Sequence, residues 1–176
     1  DGINVPTLKL DEINCILNLR DAWNYVLSSI DSDINLEFIC KVNSYVSRNE
    51  SLEWGVLRTG KVGINGVDYI PDVPIKEKVV DEINSILREE CETKRAINLM
   101  LYLMRSQVFW DGNKRTSMIV ANKIMIDNGC GIITIAQENQ PMFYEKLIKY
   151  YETGDNKDLK EWLYETSIDG INLNDN

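Results

Sequence analysis

The chain has 176 residues, a length that suits one compact domain, and 44% of them are hydrophobic and 27% charged, the balance of a globular protein. Its formal charge of −9 argues against a broad nucleic-acid surface, and no apolar run is long enough to span a membrane. It contains no histidine, which removes the commonest general base, the usual catalytic triads and most zinc enzymes.

The first residues do not read as a signal peptide, and the missing initial Met leads us to expect a fragment or a processed form. Cys15, Cys40, Cys91 and Cys130 are scattered and show no metal spacing. They are expected to be buried, reduced thiols of a cytoplasmic protein. No internal repeat or linker divides the chain, so one domain is expected over 1–176, with a core at about 10–168.

In chain order, Leu10, Ile13, Ile16, Leu17, Ala22, Trp23, Val26 and Leu27 recur at helical spacing and predict a helix over 8–30. A second helix is expected over 35–48, capped by Asp31 or Asp33. From Trp54 to Tyr69 the pattern becomes β-branched and is broken by Thr59-Gly60 and Asn65-Gly66, which predicts a short β-hairpin or flap. Gly60, Gly63 and Gly66 do not form a dinucleotide fingerprint, because no strand–helix unit surrounds them. A helix is expected over 76–90. Two more, over 94–106 and 113–127, are apolar on nearly every side and so should be central and buried. Asn128-Gly129 stops the latter, Ile132–Ile135 reads as a short strand, and amphipathic helices over 142–152 and 157–167 end the domain.

The two central helices flank the segment Gln107-Val108-Phe109-Trp110-Asp111-Gly112-Asn113-Lys114-Arg115-Thr116. Gly112 lets the backbone approach a ligand, and a helix starting at Asn113 offers unpaired N–H groups to an anion. Lys114 and Arg115 add positive charge, Arg115 with a fork that suits phosphate. Asp111 beside them would repel phosphate unless a divalent cation lay between. The plainer alternative is a capping Asp111 or Asn113 with two solvated cations. The order of residues is not that of a P-loop.

Phe109, Asp111, Gly112, Asn113 and Arg115 match in register the pattern His-Pro-Phe-x-Asp/Glu-Gly-Asn-Gly-Arg-x-x-Arg. Asn113-Lys114-Arg115-Thr116 is similar to the turn of a Doc-like subgroup, and the chain thereby resembles the Fic family over roughly 10–168. The resemblance implies a mainly α, Fic-like helical bundle with a β-hairpin flap and a short extra strand. It implies ATP and Mg2+ as ligands: Asp111 on magnesium, Gly112, Asn113 and Lys114 cradling phosphates, Arg115 on an outer phosphate, and Phe109 as a buried anchor. Val56, Leu57, Arg58, Thr59, Gly60, Val62, Gly63 and Ile64 would form the flap that takes an extended segment of a target protein by strand addition.

Three positions depart from the pattern. Gln107 replaces the catalytic histidine, and an amide has no useful basicity near neutral pH. A missing general base typically costs ~10²–10⁴ in rate. Val108 replaces the proline and Met118 the final arginine, so one phosphate contact is absent. The expectation is a degenerate or weak protein nucleotidyltransferase. The alternatives are a non-catalytic interaction module of the same fold and a Doc-type protein kinase. The family further implies an inhibitory segment or an antitoxin as partner. No copy of the inhibitory Ser/Thr-x-x-x-Glu-Gly/Asn pattern stands in the chain, and Asp1-Gly2 is left as its only candidate tail.

Overall fold

The computed structural model describes residues 9–30 and 32–170. Seven helices follow in order: α1 (Leu10–Leu27), α2 (Leu36–Val46), α3 (Lys76–Leu87), α4 (Glu92–Ser106), α5 (Asn113–Asp127), α6 (Gln140–Thr153) and α7 (Lys157–Thr166). Two short strands, β1 (Ile132–Ile133) and β2 (Ile168–Asp169), pair antiparallel, with Ile132 opposite Asp169 and Ile133 opposite Ile168. The mainly α architecture and the extra strand near 132 agree with the sequence reading. No described helix is long and apolar enough to cross a membrane.

The two helices read as apolar all round form the centre. α4 buries Ala96, Ile97, Leu99, Met100, Leu101, Leu103 and Met104, and α5 buries Ile119, Val120, Ala121, Ile124 and Met125. They pack on each other; α2 and α1 cover α5, while α3 and α7 cover α4. One full charge lies inside this layer. Lys123 of α5 has no solvent exposure, and its Nζ donates to the Asp127 carboxylate and, at 2.9 Å, to the Ile30 carbonyl. A buried ammonium is tolerable only with such partners.

Several boundaries differ from the sequence reading. α2 is capped by Asn35, whose side chain accepts from the Phe38 N–H at 2.9 Å, and not by Asp33. Asp31, like Asp1-Gly2, lies outside the described residues. The cysteines are not uniformly buried: Cys91 is exposed and the other three are half-buried, all as free thiols. Cys40 is the most perturbed of them, with burial pushing its thiol up to about 11.

The expected β-hairpin is the main correction. Residues 54–70 contain no strand. Burial still alternates from Arg58 to Ile64, and the Val67 N–H closes a turn on the Ile64 carbonyl at 3.2 Å across Asn65-Gly66. The arms are therefore extended and the turn is where the sequence placed it, but beyond that turn no described backbone bond joins one arm to the other. The segment is held from inside the molecule instead. The Arg58 N–H donates to the Val108 carbonyl at 3.0 Å, and the Arg58 side chain anchors the rest, as described below.

β1 is fixed to α5 by Asn122, which is 4% exposed. Its amide donates to the Ile133 carbonyl at 2.9 Å and accepts from the Ile133 N–H at 2.6 Å. Asn122→Leu would leave two buried backbone groups unpaired. The expected cost is about 3 kcal/mol, seen as a fall in thermal midpoint of roughly 6–12 °C, and calorimetric melting measures it.

Candidate functional site: an anion cradle at the start of α5

α4 ends at Gln107, a non-glycine residue in the left-handed region (φ 46°). The chain then turns through 108–112 and restarts as α5. The turn is closed by Asn113, which is 6% exposed. Its Oδ1 accepts from the Phe109 N–H at 2.9 Å, and its Nδ2 donates to the Phe109 carbonyl at 2.9 Å and to Gln107 Oε1 at 3.1 Å. Phe109, 1% exposed, plugs the loop into the core as expected. Asn113 therefore offers an anion only its backbone N–H; its side chain is spent on loop closure.

α2 holds the other side of the turn. Asn43 Nδ2 and Ser47 Oγ both donate to the Asp111 carbonyl, at 3.0 and 2.9 Å. Gly112 lies against the same helix with φ 71°. A Cβ there would sit 2.9 Å from Val46 Cγ1 and nearer still to Ser47 Oγ. Glycine is thus required both by the left-handed backbone and by packing on α2, a reason that local sequence could not show. The first helical bond of α5 runs from the Thr116 N–H to the Gly112 carbonyl at 2.8 Å, so the N–H groups of Asn113, Lys114 and Arg115 have no intrahelical acceptor.

The charged groups gather at this helix start. The Asp111 side chain is 47% exposed, with one carboxylate oxygen 3.4 Å from Arg115 Nη2. The other carboxylate oxygen is a hard donor that could take a magnesium ion, which typically accepts one or two carboxylates and fills its shell with water and phosphate. Among the described residues no three His, Cys, Asp or Glu side chains cluster as an all-protein metal cage, so any ion here would share its ligands with a bound phosphate. Lys114 Nζ lies over the Tyr144 ring, 4.8 Å from its centroid.

Arg115 is less free than its place in the motif implies. Its Nη2 is 2.6 Å from Glu50 Oε2, and its Nη1 is 3.2 Å from Cys15 Sγ. Burial alone would pull this guanidinium down, but Glu50, together with Cys15 and Asp111, holds the pKa above the ordinary arginine value. Glu50 is itself positioned by buried Asn18, whose Nδ2 donates to its other oxygen at 3.3 Å. Nothing in local spacing marked Glu50 or Asn18, because they reach the site from elements far away in sequence.

Gln107, where a base would stand, has both ends of its amide engaged. Nε2 donates to the Met104 carbonyl at 2.6 Å, and Oε1 accepts from Asn113. It ties the end of α4 to the start of α5.

The flap residues divide into two groups. Val56 and Thr59 face solvent, while Leu57 is half-buried against the core. Arg58 was expected to help take a target, but it is 1% exposed and points inward. Its guanidinium donates only to main-chain carbonyls: Gln107 and Gly60 at 2.5 Å, Asp72 at 2.6 Å, and more weakly Pro71 and Ser106. Desolvation lowers its pKa. Arg58 thus joins the flap on both sides of the turn to the end of α4. Trp110 supplies a second tie: its ring covers Gly60, and its Nε1 donates to Glu53 at 3.3 Å.

Two substitutions check this geometry. Gly112→Ala is expected to cost about 2–3 kcal/mol, from left-handed strain plus the clash with α2, read in urea unfolding. Arg58→Met is expected to cost about 3–5 kcal/mol by leaving several buried carbonyls without donors, with proteolytic cleavage of 56–70 as the local readout.

The Fic/DOC family matches residues 33–125, more than half of the chain and the whole of the flap and cradle. No curated protein sequence matches. Among solved structures, Fic-1 (aa134–508) from C. elegans is similar with a TM-score of 0.75 and 24% identity, covering 93% of this chain and 51% of that one, so the chain spans about half the length of that structure. The N-terminal Fic domain of a putative cell filamentation protein from Bartonella quintana, with bound ADP, has a TM-score of 0.68 at 16% identity, over 96% of this chain and 89% of that one. BepC from Bartonella tribocorum, with bound AMPPNP, has a TM-score of 0.65 at 14% identity, over 97% of this chain and 91% of that one. At these identities the structures establish the shared fold, and the family match establishes the lineage: the chain belongs to the Fic/DOC family.

Proposed function

We propose that this chain binds a magnesium nucleotide through its phosphates at the start of α5 and is a degenerate or weak protein nucleotidyltransferase acting on a protein hydroxyl. One observation carries the reading: three unpaired N–H groups, Lys114, Arg115 and the exposed Asp111 carboxylate converge where Gly112 turns the chain into α5. Two structural relatives, crystallised with AMPPNP and with ADP, support a nucleotide as the ligand class.

The residues divide the work. The α5 N–H groups and helix dipole hold phosphate oxygens without moving. Arg115 gives a two-pronged contact once Glu50 is displaced. Asp111 would hold magnesium, which when bound neutralises phosphate charge. The open edges of 56–64 suit the docking of an extended target segment, with Val56 and Thr59 facing it. Gln107 can orient a hydroxyl only by leaving Asn113 or Met104, and it cannot take its proton. Positioning and charge stabilisation carry much of phosphoryl transfer, so the reading is slow transfer and not none.

A second reading, the non-catalytic interaction module, is favoured by the same engagement of Gln107. Doc-type kinase activity rests on Asn113-Lys114-Arg115-Thr116 and is separated by comparing label from α- and γ-labelled ATP.

Calorimetric titration with ATP and ADP, with and without magnesium, tests the proposal. Magnesium-dependent binding is expected, weakened about 10-fold or more by Arg115→Ala and by Asp111→Ala; no binding at millimolar nucleotide would refute it. Glu50→Gln is expected to tighten binding about fivefold, because it removes an anion that competes for Arg115 at a cost of about 1 kcal/mol. Gln107→His is expected to raise transfer to a confirmed target; no gain would mean that more than the base is lost.

A further inference from the structure

A cavity of about 540 Å³ lies away from the cradle, between the segment 69–75 that leaves the flap, α3, α4 and α6. Its volume is within the range of small-ligand sites. No residue from Asp111 to Arg115 lines it. Its fixed cation is Arg105 of α4. Arg105 Nε donates to the Tyr150 and Tyr151 carbonyls in the last turn of α6, at 3.2 Å each. The guanidinium carbon stands 3.9 Å from the centre of the Tyr69 ring and 5.8 Å from that of Tyr150. The fork is therefore held by its base and its face before any ligand arrives. A cation at the end of α6 is expected on electrostatic grounds alone, but that role uses only Nε. Among the described residues, the two terminal nitrogens of Arg105 have no acceptor.

The remainder of the wall selects the kind of acceptor. Tyr102, Val79 and Val108 supply aromatic and aliphatic surface, the two valines fully buried. Lys78 and Asp72, both exposed, are its other charged residues. With Arg105 they leave the wall one positive charge in excess. A neutral molecule would leave the terminal N–H groups of Arg105 without an acceptor. A dianion would bring more charge into the cavity than the wall offsets. A carboxylate carries one charge and two oxygens spaced for two parallel N–H bonds. An apolar body behind it would displace water from the valines and rings.

We propose that this cavity is a second binding site, separate from the cradle, for a small carboxylic acid with an apolar, preferably aromatic, body. The carboxylate sits on the terminal nitrogens of Arg105, Lys78 adds positive field at the rim, and the body lies against Tyr102, Val79 and Val108. The site is independent of nucleotide binding at the start of α5, so either can fail without the other.

NMR titration of the full chain with phenylpropionate, its neutral amide, acetate and phenyl phosphate reads affinity and location together. Phenylpropionate is expected to bind about 10-fold tighter than the amide, which lacks the charge, and than acetate, which lacks the body. It is expected to shift the amides of Tyr69, Val73, Lys78 and Arg105 and to leave those of Asn113, Lys114 and Arg115 in place. Arg105→Lys keeps a cation at the end of α6 but removes the fork, and is expected to weaken the acid about 10-fold. Lys78→Gln, at an exposed position that does not bear on folding, is expected to weaken it about threefold. Amide signals that stay in place elsewhere show that the variants are folded. The proposal is overturned by an acid that binds no tighter than its amide or than acetate, or by phenyl phosphate binding about 10-fold tighter than the acid. Shifts confined to Asn113–Arg115, unchanged affinity in both variants, or no shift at millimolar acid would overturn it equally.

Discussion

The closure of the 107–113 turn by the Asn113 side chain is the constraint on which the rest of the site depends. Its three hydrogen bonds to Phe109 and Gln107 fix the angle at which α5 leaves α4. That angle leaves the N–H groups of Asn113, Lys114 and Arg115 together at the start of α5. It also brings Gly112 against α2, close enough that no side chain fits, and lets Asn43 and Ser47 grip the Asp111 carbonyl while its carboxylate stays in water. The amide most expected to touch ligand is thus the one that builds the turn of the candidate site. Pre-forming such a site before a ligand arrives removes the cost of ordering it on binding.

A second buried polar group extends this rigidity to the flap. Among the described residues Arg58 forms no ion pair; it collects carbonyls from the flap, from 71–72 and from the end of α4. That replaces the cross-strand ladder a true hairpin would have, and among the described residues the outer backbone edges have no partner strand. An edge of this kind is a hazard on its own and an asset where a partner strand is meant to dock. Electrostatics around the cradle are finely balanced. The chain is acidic overall, and two carboxylates, Glu50 and Asp111, already face Arg115, so a phosphate must compete for the guanidinium and not merely find it.

The sequence carried the helices well, because their signal is periodic. The apolar runs of α4 and α5 placed the core, and Asp111 to Arg115 marked the turn into α5. Phe109 was legible as an anchor. What could not be read locally were contacts between distant elements. Arg58 looked like a flap residue because a lone cation in a β-like stretch is ordinarily exposed. Glu50 and Asn18 carried no motif at all, yet they decide how free Arg115 is. The hairpin was misjudged for a related reason: alternation and Asn-Gly report extended arms and a turn, and they do not report whether the arms bond to each other or to Arg58. Gln107 marked a break in the motif, but its role in joining two helices needed the left-handed geometry at residue 107 to be seen.

The central claim is that the backbone at the start of α5 receives phosphate. The most direct test is the NMR signal and hydrogen-exchange rate of the Asn113, Lys114 and Arg115 amides, with and without magnesium ADP. The account requires these three amides to shift and their exchange to slow on addition of ligand, while amides at the far end of α5 stay unchanged. Unchanged signals for all three at saturating nucleotide would contradict it.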